Sequence, residues 1–265
     1  MIALFSDSIS KMVRFHSPRV IELIKQRDQL NEKLAHEADE AYTSFVQGFV
    51  RNYMVLRNVV VSLATLDAVK SLARLASLPG YCKPKMVMPT STLPSTVSLT
   101  AFRHPISEVT TTDLYVPNDL SLGASGAKGI LLTGSNMGGK SSTVRAVALC
   151  VILAQLGAYV PAESATLSLH DAVLTRVGAS DEIARSRSTF RVEVEETAEI
   201  LRACTGRSLV ILDELGRGTS TNDGTAVAYA VLHHLMTRSI QARPSLLFIT
   251  HYFTLGTVAA RPELH

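Results

Sequence analysis

Gly129-Ile-Leu-Leu-Thr-Gly134-Ser-Asn-Met-Gly-Gly139-Lys140-Ser141 joins a short apolar run to a glycine-rich turn that ends in a Lys-Ser pair. Every fixed position of G-x-x-x-x-G-K-[ST] is filled, and the turn stands where that motif has to stand, after a strand and opening a helix, here expected over 140–156. Glycines let backbone N–H groups close around phosphates with no Cβ in the way. The helix N-terminus adds partial positive charge at the same place. On this reading Lys140 reaches the β- and γ-phosphates of a nucleotide and the Ser141 hydroxyl ligates Mg²⁺. An ordinary glycine-rich strand–helix turn would not require Lys140 and Ser141.

Two further apolar runs lie downstream. Ser208-Leu-Val-Ile-Leu-Asp213-Glu214 is four apolar residues delivering two carboxylates, and its second acid lies 74 residues after Lys140. The C-terminal ends of strands are where open α/β sheets bind ligands. Asp213 suits a Mg²⁺ ligand there, and Glu214 suits the general base that activates an attacking water. Alone, such acids would be a strand ending in solvent; paired with the phosphate loop they become chemistry. Leu246-Leu-Phe-Ile-Thr250 is a third strand, followed by His251, in reach of a γ-phosphate or simply a loop residue. Helix is expected over 225–236, and the strand–helix alternation predicts an α/β core with a mostly parallel sheet. Ser188-Thr189-Phe190 ahead of Glu193, Glu195 and Glu196 is a good helix start. Its serine either caps the helix or addresses a nucleotide held by a neighbouring subunit. Tyr115 is a candidate base-stacking aromatic or a half-buried packing residue.

Upstream the pattern changes. Ser17-Pro18 reads as an N-cap with proline at the first helical position and Glu22 in the first turn. From there to Ser77 the chain has no proline and one glycine, with Leu30, Leu34, Phe45 and Phe49 and then Leu56, Val59, Val60 and Leu63 at helical spacing. That one-sided pattern suggests helices packed on each other, with a break or hairpin near Asn52-Tyr53. Leu78-Pro79-Gly80 ends them, and residues 79–128 carry six prolines and short strands at most, such as 97–102. The expected division is a helical segment over 1–78, a linker and start of the next domain over 79–128, and the nucleotide-binding domain over 129–265.

Composition agrees with a folded chain: of 265 residues, 46% are hydrophobic and 18% charged. Lys and Arg number 26 against 23 Asp and Glu, a net charge of +3. Residues 1–100 hold 12 and 8 of these, giving +4, too weak a bias to demand nucleic acid. No apolar run reaches 18 residues, so no transmembrane helix and no membrane partner is expected. Cys82, Cys150 and Cys204 are scattered, which excludes a disulfide scaffold and fits a reducing compartment.

Taken together, the motifs resemble the MutS family of DNA mismatch-repair ATPases. Thr133-Gly-Ser-Asn-Met-Gly-Gly-Lys-Ser-Ser142 resembles the family's T-G-P-N-M-G-G-K-S/T loop, and Tyr159-Val-Pro-Ala162, Thr175-Arg-Val-Gly-Ala179 and Ser188-Thr-Phe190 follow in the family's order. Asp213-Glu-Leu-Gly-Arg-Gly-Thr-Ser-Thr221 is the most distinctive run, and Thr250-His-Tyr252 closes the set. Arg103-His-Pro105, Tyr115-Val-Pro-Asn118 and Arg14-Phe-His-Ser-Pro18 also fit, so the resemblance covers roughly residues 12–256. Details such as Tyr81-Cys-Lys-Pro84 lean towards a eukaryotic homologue, the subunit that handles insertion/deletion loops, with the mispair-recognising subunit close behind.

The resemblance implies an ABC-type ATPase core preceded by lever helices, using ATP and Mg²⁺. It implies work as a dimer with another MutS-type subunit on mismatched or looped DNA, in the nucleus if the source is eukaryotic and in the cytoplasm if it is bacterial. Gly134, Ser135, Asn136, Met137, Gly138, Gly139, Lys140, Ser141 and Ser142 would hold the nucleotide. Tyr115 and Val116 would pack on the adenine, and His251 would sense the γ-phosphate. Ser188 and Thr189 would act on the nucleotide of the other subunit. Ser135 departs from the family's proline, which frees φ in the loop. The resemblance also implies that the lesion-reading regions and the last ATPase strands lie outside this sequence, leaving the ATPase fold C-terminally truncated. Two other readings are a transporter or chromosome-maintenance ATPase of the ABC type, and a non-enzymatic nucleotide-binding module. The first would need a signature like L-S-G-G-Q where Ser188-Thr189-Phe190 stands.

Overall fold

The computed structural model describes residues 16–90, 95–111, 114–123, 127–135, 138–177, 189–239 and 241–259. The chain forms two compact units, residues 1–68 and 69–265.

The described residues of the first unit, 16–68, are helical, and the second helix runs on past its end. Helix α1 (Pro18–Arg51) starts at Ser17, whose Oγ accepts the Val20 N–H at 3.4 Å, with Pro18 at the first helical position. Its first turn holds no acid, because Glu22 falls one residue beyond it. Helix α2 (Tyr53–Ala76) follows after Asn52 alone, the anticipated place. The break is not a hairpin. Leu56 N–H still donates to the Asn52 carbonyl at 3.0 Å, so the helical pattern resumes at once, and Asn52 Nδ2 donates to the Gly48 carbonyl at 3.0 Å. No residue of α1 or α2 is buried, so the expected mutual packing does not occur. With no chain reversal, neither apolar stripe meets the other; Phe45 and Phe49 meet only edge to face along their own helix, 5.0 Å apart.

The second unit contains two sheets. One is ordered β1 (Lys85–Val87), β5 (Ser164–Ser168), β2 (Val97–Phe102), β3 (Asn118–Leu122), with β1 parallel to β5 and the other pairs antiparallel. Ala101, at φ 48, sits in an irregularity of β2 where the Asp119 carboxylate takes its N–H at 2.7 Å. Arg103, His104 and Pro105 finish this layer. Arg103 pairs with Glu108 at 2.6 Å, and His104 Nδ1 accepts the N–H groups of Ile106 and Ser107 at the start of α3 (Ser107–Thr110).

The other sheet is parallel throughout: β4 (Gly129–Leu132), β8 (Ser245–Ile249), β7 (Leu209–Asp213), β6 (Val173–Arg176). Every residue of β7 and β8 is buried, as expected of parallel strands covered on both faces. Successive side chains alternate between the two faces. Leu209, Ile211, Leu247 and Ile249 join one core with the mixed sheet and with Val144, Val147 and Val151 of α4 (Lys140–Gln155). Val210, Leu212, Leu246 and Phe248 join a second with α6 (Thr221–Met236) and with Ile200 and Cys204 in and just after α5 (Thr189–Ala203). The helix expected from 225 begins four residues earlier, because Ser220 caps it: its Oγ accepts the Asp223 N–H at 3.3 Å.

Phe248 is fully buried on the inner strand β8. Phe248→Ala is expected to lower the unfolding free energy of this unit by about 3–5 kcal/mol, read from the urea midpoint; a change below about 1 kcal/mol would contradict the two-sided burial of β8.

Candidate functional site

The strand register builds the site. Leu132 pairs with Ile249, and Ile249 with Asp213, so three strands end level. The ladder continues one step: Thr250 N–H donates to the Leu132 carbonyl and Glu214 N–H to the Ile249 carbonyl, both at 3.0 Å. Thr133-Gly134, Thr250-His251 and Asp213-Glu214 therefore emerge side by side from the C-terminal edge of the sheet, with His251 on the middle strand. These are the three sequence-predicted groups, and main-chain pairing brings them together.

At the first strand end, Gly139 stands at the N-terminus of α4 with φ 81, a left-handed conformation that glycine adopts without strain. Lys140 curls back over the loop, and its Nζ donates to the carbonyls of Gly134 at 2.9 Å and Ser135 at 2.7 Å. Ser141 and Ser142 are half-buried in the first turn of α4. Asn136, Met137 and Ser188 lie outside the described residues, as does the side chain of Thr189, the first residue of α5. Tyr115 is half-buried and Val116 exposed; the Val116 carbonyl accepts from Asn118 Nδ2 at 3.1 Å just before β3.

At the second strand end the backbone turns sharply. Glu214 has φ 55, left-handed and unusual for a side chain with a Cβ. Its carboxylate is held at both oxygens, Oε1 by His251 Nε2 at 2.5 Å and Oε2 by Arg217 at 2.6 Å. Burial pushes the Glu214 carboxyl up, but those two hydrogen bonds and the charges behind them outweigh it and hold it below the usual carboxylate range. A depressed carboxyl stabilises the fold above its unfolded pKa, and that contribution is lost as pH falls through its folded value. Asp213 is buried, and its Oδ1 has no hydrogen-bond partner among the described residues. A buried carboxylate oxygen without a proton donor is what a hard cation replaces well, and a carboxylate plus a serine hydroxyl is an oxygen donor set that fits Mg²⁺ beside phosphate oxygens. Glu214, Arg217, Thr219, Thr221, His251 and Tyr252 line a cavity of about 280 Å³ on this side of the edge.

Three residues to which the sequence reading gave no part in the site hold the Glu214 loop. Glu193, buried on α5, accepts the Gly216 N–H at 2.6 Å. Tyr252 donates its hydroxyl to the Gly216 carbonyl at 2.8 Å. Arg176, buried at the end of β6, lies 3.7 Å from both the Glu193 and Glu196 carboxylates and donates to the Asp213 carbonyl at 3.4 Å. A signal for Glu193 was available: it shares the stripe of Thr197, Ile200 and Cys204, and an acid among buried positions of a helix needs a partner.

A chain with a glycine-rich phosphate-loop sequence and two carboxylates at the edge of a parallel sheet belongs to a recognisable class, and comparison defines it. The profile for MutS domain V matches residues 130–264, and the chain belongs to the MutS family. It is 54% identical over 249 residues to the DNA mismatch repair protein MSH3 of Chaetomium globosum, covering 94% of this chain and 21% of that protein. It is 51% identical over 249 residues to the protein of the same name from Pyricularia oryzae, covering 94% and 21%. To that of Emericella nidulans it is 52% identical over 248 residues, covering 94% and 22%. The chain thus spans about a fifth of the length of these relatives. No helix among the described residues is long and apolar enough to cross a membrane.

Arg217 is mostly exposed and contributes one of the two grips on Glu214. Arg217→Ala is expected to move the Glu214 carboxyl titration upward, followed by side-chain carboxyl NMR; an unmoved titration would show that the ion pair is absent in solution.

Proposed function

We propose that this chain is the ATP-binding and hydrolysing portion of a MutS-type mismatch-repair subunit. Within that family its relatives favour the subunit acting on insertion/deletion loops. The observation that carries the reading is the single sheet edge from which the phosphate loop, the Asp213-Glu214 pair and His251 emerge level. The fold proposed is an ABC-type ATPase core. Residues 1–78 serve as the lever segment, 79–128 as the linker and start of the ATPase domain, and 129–265 as the ATPase domain.

In this reading the N–H groups from Gly134 to Ser142, including those of Asn136 and Met137, cradle the phosphates, and Lys140 moves its ammonium from the loop carbonyls to the β- and γ-phosphates. Tyr115 and Val116 pack on the adenine. Ser141 and Asp213 would hold Mg²⁺, which neutralises charge on the phosphates. Glu214, kept deprotonated by its neighbours, releases one oxygen to orient the attacking water and accept its proton. The mostly exposed Arg217 grip is the weaker one to give up. His251 stays against Glu214 and faces the γ-phosphate. Ser188 and Thr189 complete the site of a second MutS-type subunit, so turnover belongs to the dimer. Nucleotide state is then linked to binding of mismatched or looped DNA, a reciprocal coupling between two sites, in the nucleus.

The test uses the full-length subunit with its partner. Lys140→Ala is expected to weaken ATP binding about 10- to 100-fold, the loss of charge-assisted hydrogen bonds worth about 1.5–3 kcal/mol; retained tight binding sinks the phosphate-loop assignment. Glu214→Gln is expected to keep ATP binding and cut turnover about 10²–10⁴-fold. Unchanged turnover removes Glu214 as the base, and absence of turnover in the parent protein favours a binding module.

A further inference from the structure

We propose that Glu193 is a positioning residue that ties the placement of helix α5 to that of the Glu214 carboxylate. The proposal rests on the reading of Glu214 as the catalytic base. The Gly216 peptide, two residues after Glu214, is gripped on both sides: its N–H by Glu193 at 2.6 Å, its carbonyl by the Tyr252 hydroxyl at 2.8 Å. Tyr252 itself follows directly on His251, the other residue bonded to Glu214. The loop is therefore fixed to α5 on one side and to the end of β8 on the other.

Packing leaves this grip little slack. Gly216 has φ 90, and a Cβ there would meet the Gly224 carbonyl oxygen at 2.5 Å; one on Gly224 would meet the Tyr252 hydroxyl at 2.2 Å. A Cβ on Gly218 would lie 3.1 Å from the Phe190 nitrogen and 3.3 Å from Glu193 Oε2, so the loop lies flush against the first turn of α5. Glu193 is 2% exposed, and the buried Arg176 guanidinium stands behind it at 3.7 Å while also bonding the Asp213 carbonyl. A side-chain carboxyl buried this deeply depends on both the guanidinium and the Gly216 N–H as partners.

The consequence is mechanical. Helix α5 begins at Thr189, and a shift of α5 along its axis carries Glu193 with it. Gly216 then moves, and with it Arg217 and Glu214, which are bonded to each other. An event at the start of α5 is thereby read out at the carboxylate that orients water, without altering the phosphate loop. Glu193 is buried and bonds the backbone of the Glu214 loop, so its effect is expected on turnover and not on ATP affinity.

The experiment measures kcat, KM for ATP and equilibrium ATP binding in the full-length subunit assembled with its partner. Glu193→Ala is expected to lower kcat about tenfold or more, since small misplacements of catalytic groups carry costs of that order, with KM and ATP binding within about threefold. Glu193→Gln keeps an oxygen acceptor at the same length but removes the charge facing the buried Arg176, and should lower kcat less than Glu193→Ala does. Glu193→Asp keeps the charge but falls one C–C bond short, and should behave like Glu193→Ala. Tyr252→Phe removes only the opposite grip and should lower kcat about fivefold, the worth of one hydrogen bond of ~1 kcal/mol. If Glu193→Ala does not fold, Glu193→Asp and Tyr252→Phe decide the matter. Parental kcat in those variants overturns the proposal. So does loss of turnover in step with loss of ATP binding, which marks a merely structural role, and so does Glu193→Gln behaving like Glu193→Ala. Glu214→Gln, run alongside, separates the failures: if it leaves turnover intact, the base assignment itself falls.

Discussion

The parallel hydrogen-bond ladder through Leu132, Ile249 and Asp213 is the constraint on which the rest depends. A parallel ladder sends every strand out at the same edge, and the two inner strands are apolar enough to be buried on both faces. Loops leaving such an edge have nowhere to go but beside one another. The chemistry is thus gathered from residues more than a hundred positions apart without any side chain having to search for its partner. Helix α4 on one face and α5 with α6 on the other then fill the two cores, which fixes the sheet between them.

Polar contacts do the finer placement. The strands bring Glu214 to the edge but do not aim it. Aiming comes from His251 and Arg217 at the carboxylate, and from Glu193 and Tyr252 at Gly216. The buried Arg176–Glu193 pair is poor evidence of stability, because desolvating two charges offsets most of their attraction. What it supplies is directionality, since the pair is satisfied in one arrangement of β6, α5 and the loop.

Much of the parallel-sheet edge was legible in the sequence because its elements have strong local signals. Gly129–Leu132, Leu209–Asp213 and Ser245–Ile249 are apolar runs bounded by turns, and Gly139-Lys140-Ser141 states its own context. The mixed sheet was less so. Its strands β1, β3 and β5 mix serine, threonine and lysine with apolar residues, and only β2 stood out. The helical segment misled in a different way. Periodicity reports which face is apolar, not what covers it, and the stripes of α1 and α2 proved uncovered. The grip on Gly216 was hidden because a hydrogen bond between α5 and a distant loop leaves no spacing rule in the chain. Only the anomaly of an acid at position 193 on a buried stripe pointed to it.

The left-handed backbone of Glu214 has a thermodynamic corollary. A residue with a Cβ held at φ 55 raises the folded state's energy by about 1–3 kcal/mol, and glycine would relieve it. The position is therefore one where the sequence best for folding and the sequence that retains a carboxylate at the sheet edge are different. On the reading of Glu214 as the base, the strain at this position is a stability cost kept for turnover.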